Sequence, residues 1–194
     1  MSILFAFTKV SKERAEVDTL VCTVWRDIVP PKVELMLWLA LLERLNTKSM
    51  LVKKKILQSQ DNICSFCAQQ EENIDHLLLN CQVSWSIWCH IAVDFGIQVI
   101  RHQRFRCFYE WWMSKTFPNR TRKKLFILAF FAIAWSLWLK RNKMVFEQHE
   151  MDIQAMLHII RWRIAWWSKA WKEKAHYNAD QLAANFRNIM LLLP

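Results

Sequence analysis

Two apolar stripes at three-four spacing, a chain with one glycine and four prolines, and a compact cluster of Cys64, Cys67, His76 and Cys81 together predict an all-α fold. The expected architecture is a helical domain with a small Cys3His zinc knuckle and a C-terminal antiparallel helical hairpin. So little glycine and proline argues against a turn-rich β fold and for long helices. At 194 residues the chain is long enough to bury a core, in one domain or two small ones.

Residues 1–20 are weakly patterned and receive no function; starting at Met1, the chain reads as a gene fragment or as having an altered start. Pro30-Pro31 then opens a helix, because the N–H that proline lacks has no partner in a first turn. Val33 to Leu45 continues it, apolar nearly all round and so expected to be buried. Asn46-Thr47 breaks it, and Thr47 or Ser49 caps a next helix carrying Met50, Leu51, Ile56 and Leu57, with Lys53-Lys54-Lys55 between. Ile74 to Phe95 reads as a helix with a core stripe of Leu77, Leu78, Trp85, Trp88 and Ile91. Gly96 is placed to take the left-handed position that ends it.

Over 98–120, Arg101, Arg104 and Arg106 alternate with Phe105, Phe108, Trp111 and Trp112. That pattern suits single-strand binding, but suits better an amphipathic helix whose cations lie over its rings. After Phe117-Pro118, Asn119 or Thr121 caps a long helix of about 121–147. Leu125 to Leu139 contains no charge. A membrane span needs about 20 apolar residues, so the stretch reads as a core helix rather than an anchor. Its stripe runs Leu125, Leu128, Ala132, Trp135, Leu139, Asn142, Phe146. A second stripe, Ile153, Leu157, Ile160, Ile164, Trp167, Trp171, follows a short connection, which predicts the hairpin, with Trp135 and Leu139 facing Ile160, Ile164 or Trp167. Asp152 caps the second helix. Its other faces carry Arg161, Arg163, Lys169, Lys172 and Lys174 beside Trp162 and Trp166. Residues 178–192 read as a short helix.

The cluster follows the pattern Cys64-x2-Cys67-x8-His76-x4-Cys81. Three thiols and an imidazole can close a tetrahedral zinc site of one ion with no open position. Such a site has nowhere to bind a substrate, and its binding energy becomes folding energy. The four ligand atoms are expected within about 4 Å of one another, and His76 is expected to hydrogen-bond through its second nitrogen. His76 and Cys81 are five apart, off any straight helical stripe, so irregular geometry or a helix start must lie between them. Spacing alone leaves open a second reading, in which Cys64 and Cys67 are ordinary buried thiols and His76 caps a helix. Cys89 and His90 compete as ligands and rank below Cys81. Phe66, between the first two ligands, is read as packing under the metal rather than stacking on a base.

The flanks carry a resemblance. Trp25-Arg-Asp-Ile-Val-Pro-Pro-Lys-Val33, Leu37-Trp38-Leu-Ala40 and Arg44-Leu-Asn-Thr47 precede the cluster. Glu71-Glu72, Asp75-His76-Leu-Leu78, Asn80-Cys81, Trp85 and Trp88 accompany or follow it. In that order they resemble the zinc-binding domain of plant reverse transcriptases of LINE-type (non-LTR) retroelements, closely over about 21–95. Ala134-Trp-Ser-Leu-Trp138-Leu-Lys-Arg-Asn-Lys-Met-Val-Phe146 resembles the Trp-rich segment that follows in those proteins. The resemblance implies that Cys64, Cys67, His76 and Cys81 are the metal ligands and that the cofactor is one structural Zn²⁺. The chain then divides into 1–20, a reverse-transcriptase-like zinc-binding domain over 21–97, and a Trp-rich basic helical region over 98–194.

Lys plus Arg exceed Asp plus Glu by 27 − 17 = 10. An excess of that size favours nucleic acid or an anionic membrane surface as partner. The expected partner is RNA or single-stranded DNA, contacted by Lys53, Lys54 and Lys55 and, second, by Arg122, Lys123 and Lys124. The resemblance also implies reverse transcriptase or RNase H parts encoded elsewhere as partners. No small-molecule substrate and no enzymatic activity are expected. Tyr177-Asn-Ala-Asp180 lacks the paired aspartates of a two-metal polymerase motif, no RNase H carboxylate set is recognisable, and no glycine loop cradles a phosphate. The alternative is a structural or protein-interaction scaffold, a retroelement relic without activity; a membrane-associated helical protein ranks below it. No disulfide framework is evident, since three ligand cysteines leave Cys22, Cys89 and Cys107. Ser2 to Val10 lacks the basic start and cleavage site of a secretory signal. An intracellular location, nuclear or cytoplasmic, is expected.

Overall fold

The computed structural model describes residues 18–171 and 179–192. The readings made on residues 1–17 and on Lys172, Lys174 and Tyr177 lie outside them. Among the described residues the helices are α1 (Thr19–Cys22), α2 (Pro31–Leu41), α3 (Lys48–Lys53), α4 (Gln82–Asp94), α5 (Phe105–Ser114), α6 (Arg120–Glu147), α7 (Ile153–Ser168), α8 (Ala179–Ala184) and α9 (Phe186–Leu192). No strand forms among them, and a bridge between Ile63 and Glu71 is the extended pairing present.

The fold is organised around α6. Every residue from Leu125 to Ala134 is buried, because α2, α4, α5 and α7 pack around it. A helix apolar on all sides needs such a complete surround. No helix among the described residues is long and apolar enough to cross a membrane. Aromatic rings fill the space between α4, α5 and α6. Trp112 stacks on Phe126 with centroids 4.2 Å apart, and Trp88 meets Phe108, Trp112 and Phe130 at 4.9, 5.2 and 4.8 Å. The two buried indoles keep their N–H groups satisfied: Trp112 donates to the Phe126 carbonyl and Trp88 to that of Leu78.

The hairpin forms as expected. Asn119 accepts from the Arg122 N–H at the start of α6, and Asp152 accepts from Ala155 N–H at the start of α7. Gln148 takes a left-handed conformation to close α6. The hydrogen bond from Arg163 to Ser136, one eleven residues before the end of α6 and the other ten after the start of α7, fixes the antiparallel register.

Several boundaries and faces differ from the sequence reading. The helix opened by Pro31 ends at Leu41, not Leu45. Glu43, at φ 56, is the left-handed residue, and Arg44 N–H bonds back to the Leu39 carbonyl in a Schellman closure. α3 ends at Lys53 through the same device at Lys55, and buries no residue; Ile56, expected on that helix, is exposed. Trp135 does not sit on the α7 side. It is half-buried with Lys32 of α2 over its ring at 5.8 Å, while Ser136 faces α7. The α6 stripe fades at its end, where Phe146 is exposed with residues 147–150 at the hairpin tip. Where one helix is expected over 178–192, the described residues 179–192 form two short ones. Gly96 does end α4, at φ 66.

A Cys3His candidate metal centre

The first half of the centre is a loop that turns back on itself. Thr47 caps α3, as one of the two expected caps. Lys48 and Ser49 at the start of α3 bond to Glu72 and Asn62, which ties α3 to the loop. A 3₁₀ turn over Ser59–Asp61 leads in. Cys64 N–H donates to the Gln70 carbonyl, and Ala68 N–H to that of Cys64. Ala68 closes the turn at φ 53, a left-handed position that costs a non-glycine residue about 1–2 kcal/mol. This geometry aims Phe66 N–H at Cys64 Sγ, at 3.4 Å. The Phe66 ring is half-buried and packs against the core edge.

The second half resolves the His-x4-Cys spacing. On an ideal α-helix, residues five apart point about 140° away from each other. Here His76–Asn80 form one π turn, whose i→i+5 bond runs from Cys81 N–H to the His76 carbonyl at 2.7 Å. Asn73 caps this turn by accepting from His76 N–H. Cys81 itself is extended, at φ −57 and ψ 134, and resets the chain into α4. The predicted helix from Ile74 to Phe95 is therefore broken at a ligand. The carbonyls left unpaired by the break are taken up from α4: Ser84 Oγ donates to Leu77, and Trp88 Nε1 to Leu78.

Cys64, Cys67, His76 and Cys81 converge, with one ligand atom from each lying within 4.8 Å of all the others. His76 Nε2 is 3.3 Å from Cys67 Sγ, so this histidine is a member of the cluster and not a helix cap. A tetrahedron with bonds of about 2.3 Å has edges of about 3.8 Å, so the widest edge closes by about 1 Å around an ion. The convergence is looser than the 4 Å expected. His76 Nδ1 is buried without a hydrogen-bond partner among the described residues, so the expected second-nitrogen bond does not form. Cys64 and Cys81 are buried, Cys67 half-buried.

Protonation within the cluster is uneven. The Cys64 thiol donates to Cys81, which lowers the pKa of Cys81; N–H groups of Val83 and Ser84 at the start of α4 add to the effect. The same contact and burial push Cys64 up. Burial lowers His76 and keeps its imidazole neutral, the form that binds a metal.

Between the second and third ligands lies a residue whose role sequence reasoning missed. Glu72 is fully buried and pairs with Arg141 of α6, itself 3% exposed, at 2.7 Å. Glu72 Oε1 accepts from Arg141 Nη2 and Nε and from Lys48 N–H, and Oε2 accepts from Ser65 Oγ at 3.2 Å. The Arg141 guanidinium lies over the Trp138 ring. The ligand loop is thus bolted to the central helix. The available signal was the Lys140-Arg141 pair that ends an uncharged helical run, with no acid one helical turn from Arg141 to pair with it.

The proposed nucleic-acid contacts divide. Lys53, Lys54 and Lys55 are exposed, with Lys54 donating to Asn46. Arg122, Lys123 and Lys124 are half-buried. Arg122 donates to the Phe95 carbonyl and lies over Phe117, and Lys124 lies over Trp171, so this patch has structural duties. Cys89 and His90 stay outside the cluster; His90 bonds to the Ser86 carbonyl, and both line a cleft of about 490 Å³ against α7 and the α8–α9 turn.

Fold and cluster together define a helical module carrying a Cys3His centre. Residues 3–88 match the family described as zinc-binding in reverse transcriptase, which bears out over that stretch the resemblance to a reverse-transcriptase zinc-binding domain. The match takes in the cluster and begins upstream of residue 21; it leaves α5 to α9 uncovered, including the arginine that anchors the ligand loop. Match and cluster together support zinc binding by this module. No curated protein and no solved structure matches the chain.

Proposed function

We propose that the chain is a non-catalytic module in which one structural Zn²⁺ shapes the loop 64–81, and that the module binds RNA or single-stranded DNA mainly through electrostatics. Four protein ligands fill a tetrahedral ion, so the metal holds structure and presents no open position. The non-catalytic reading rests on the sequence, which offers no polymerase, nuclease or nucleophile pattern.

The observation that supports nucleic-acid binding is how the charges are used. Several carboxylates are spent on backbone N–H groups: Glu34 on Arg26 and Asp27, Asp75 on Phe105, Asp152 on Ala155. These carboxylates take no cation as partner, and the chain as a whole carries a net excess of 10 positive charges. Lys53 to Lys55 stand exposed beside the knuckle, held there by the bonds from α3 to Glu72 and Asn62.

The test is binding of the zinc-loaded protein to a short RNA and a short single-stranded DNA at two salt concentrations. Changing Lys53–Lys55 to glutamine should weaken binding alike for all sequences, and should flatten the salt slope by about one unit for each phosphate no longer neutralised. No measurable affinity at low salt rejects the reading. A scaffold role is the second reading. It is favoured by an open groove of about 640 Å³ between knuckle and hairpin tip, lined by Phe66, Met144, Val145 and Met151.

A further inference from the structure

The outer face of α7 is built differently from the other helix surfaces. Its buried side carries Leu157, Ile160 and Ile164. On the opposite side Ile159, Trp162 and Trp166 are 42, 41 and 50% exposed. Trp162 and Trp166 stack on each other, with centroids 5.2 Å apart and planes 11° apart, and Lys169 Nζ lies over the Trp166 ring at 4.6 Å. Residues 162, 166 and 169 follow i, i+4, i+7, so the three groups form a ladder along one helix face. Trp162 has no other ring partner among the described residues, and its second face ends the ladder.

Charge selects the occupant. No acidic residue occurs from Ile153 to Lys172. Arg161 and Arg163 flank the stripe; Arg161 is paired with Asp94, while Arg163 bonds to Ser136 and has no carboxylate partner among the described residues. An apolar protein surface gains little from two flat rings kept parallel beneath a cation. A chain of unpaired bases with phosphates gains from each part: bases stack on an indole whatever their sequence, and phosphates meet the exposed Lys169.

We propose that the outer face of α7 is a stacking platform for a single-stranded nucleic acid, with an unpaired base continuing the ladder on Trp162. The inference rests on the nucleic-acid reading above and adds a site and a mode that the lysine patch does not supply. The bases and phosphates carry recognition, so the sugar makes little difference.

The experiment titrates zinc-loaded full-length protein with oligo(rU), oligo(dT) and a DNA duplex of equal length. Trp162→Ala, Trp166→Ala and Trp162→Phe are compared with wild type, with zinc content and far-UV circular dichroism confirming the fold. Trp162→Ala should weaken single-strand binding roughly 5- to 150-fold, the range expected for one base–ring stack, and Trp166→Ala should weaken it by less, through loss of the ring that backs Trp162, with little change in salt slope. Trp162→Phe should recover most of the affinity, and duplex binding should be unaffected. Wild-type binding that the alanine variants leave unchanged overturns the platform and leaves the nucleic-acid reading standing. Absence of wild-type binding overturns both. A wild-type dimer that Trp162→Ala converts to monomer, with single-strand affinity intact, assigns the face to a second copy of the chain and overturns the proposal.

Discussion

Replacing Arg141 with methionine is the most informative perturbation of this fold. The substitution keeps most of the apolar stem over Trp138 and removes the guanidinium that Glu72 Oε1 meets at 2.7 and 2.9 Å. Glu72 is fully buried, so its carboxylate is left with Lys48 N–H and Ser65 as partners. Breaking a buried pair on one side costs about 3–5 kcal/mol, because the remaining charge stays desolvated. Glu72→Met should cost a similar amount by stranding Arg141. The double variant removes both charges and leaves mainly the orphaned Lys48 N–H, which costs about 1–3 kcal/mol. The two single effects should therefore overshoot the double by about 3 kcal/mol or more. Urea unfolding of the four proteins in saturating zinc measures the cycle. A second readout is competition for zinc with a chromophoric chelator: Arg141→Met should weaken retention, since Glu72 lies on the loop between Cys67 and His76. Additivity within about 0.5 kcal/mol, or a single-variant cost under about 1 kcal/mol, would refute the claim that this pair couples hairpin to knuckle.

Chelating the metal should speed amide exchange over residues 62–81 and lower Tm, while Leu125–Ala134 remains the slowest segment, because ligand binding energy is folding energy for the loop and not for the core. Equal acceleration in both segments would show that the metal holds the whole molecule. Trp88→Ala should cost about 3–5 kcal/mol, since the ring is fully buried, whereas Trp135→Ala should cost about 1–2 kcal/mol for a half-buried ring; thermal or urea unfolding ranks them, and a reversed order is inconsistent with the packing. Glu34 gives a pH signature. Burial raises its carboxyl above the ordinary 4.5, outweighing the bonds from Arg26 and Asp27 N–H. The folded state then holds the proton more tightly than the unfolded state. The stability this group contributes is full below 4.5 and is lost as pH rises through its folded value. The stability difference between Glu34→Gln and wild type, followed from about pH 4 upward in zinc, should shift in favour of the variant; a flat difference contradicts the burial argument.

Much of the candidate site is legible in the sequence because it is local. Its ligands fall within 18 residues, and their types and spacing carry the chemistry without reference to the rest of the chain. Even the need for irregular geometry between His76 and Cys81 follows from helical arithmetic, although the particular form it takes, a π turn, does not. The caps at Thr47, Asn119 and Asp152, the left-handed Gly96 and the hairpin of α6 and α7 follow from local rules in the same way. Helix ends are less legible. Glu43 and Lys55 take left-handed positions without glycine, and nothing short-range marks them.

Tertiary structure decided which surfaces meet. α6 is apolar on every side from Leu125 to Ala134, so its periodicity has no preferred direction and cannot say which face turns to α2 or α7. The stripe accordingly assigns Trp135 to the wrong neighbour. The pairs Glu72–Arg141 and Asp94–Arg161 join residues 69 and 67 positions apart. An isolated charge in a sequence does not announce a partner at that distance, since either reads locally as a solvated group. Only the closed packing of α6 against the loop, and of α7 against α4, withdraws Glu72, Arg141 and Asp94 from water and makes each require its partner. The stripe of Trp162 and Trp166 is visible as a pattern, but whether it lines the core or the surface depends on which side of α7 the other helices cover.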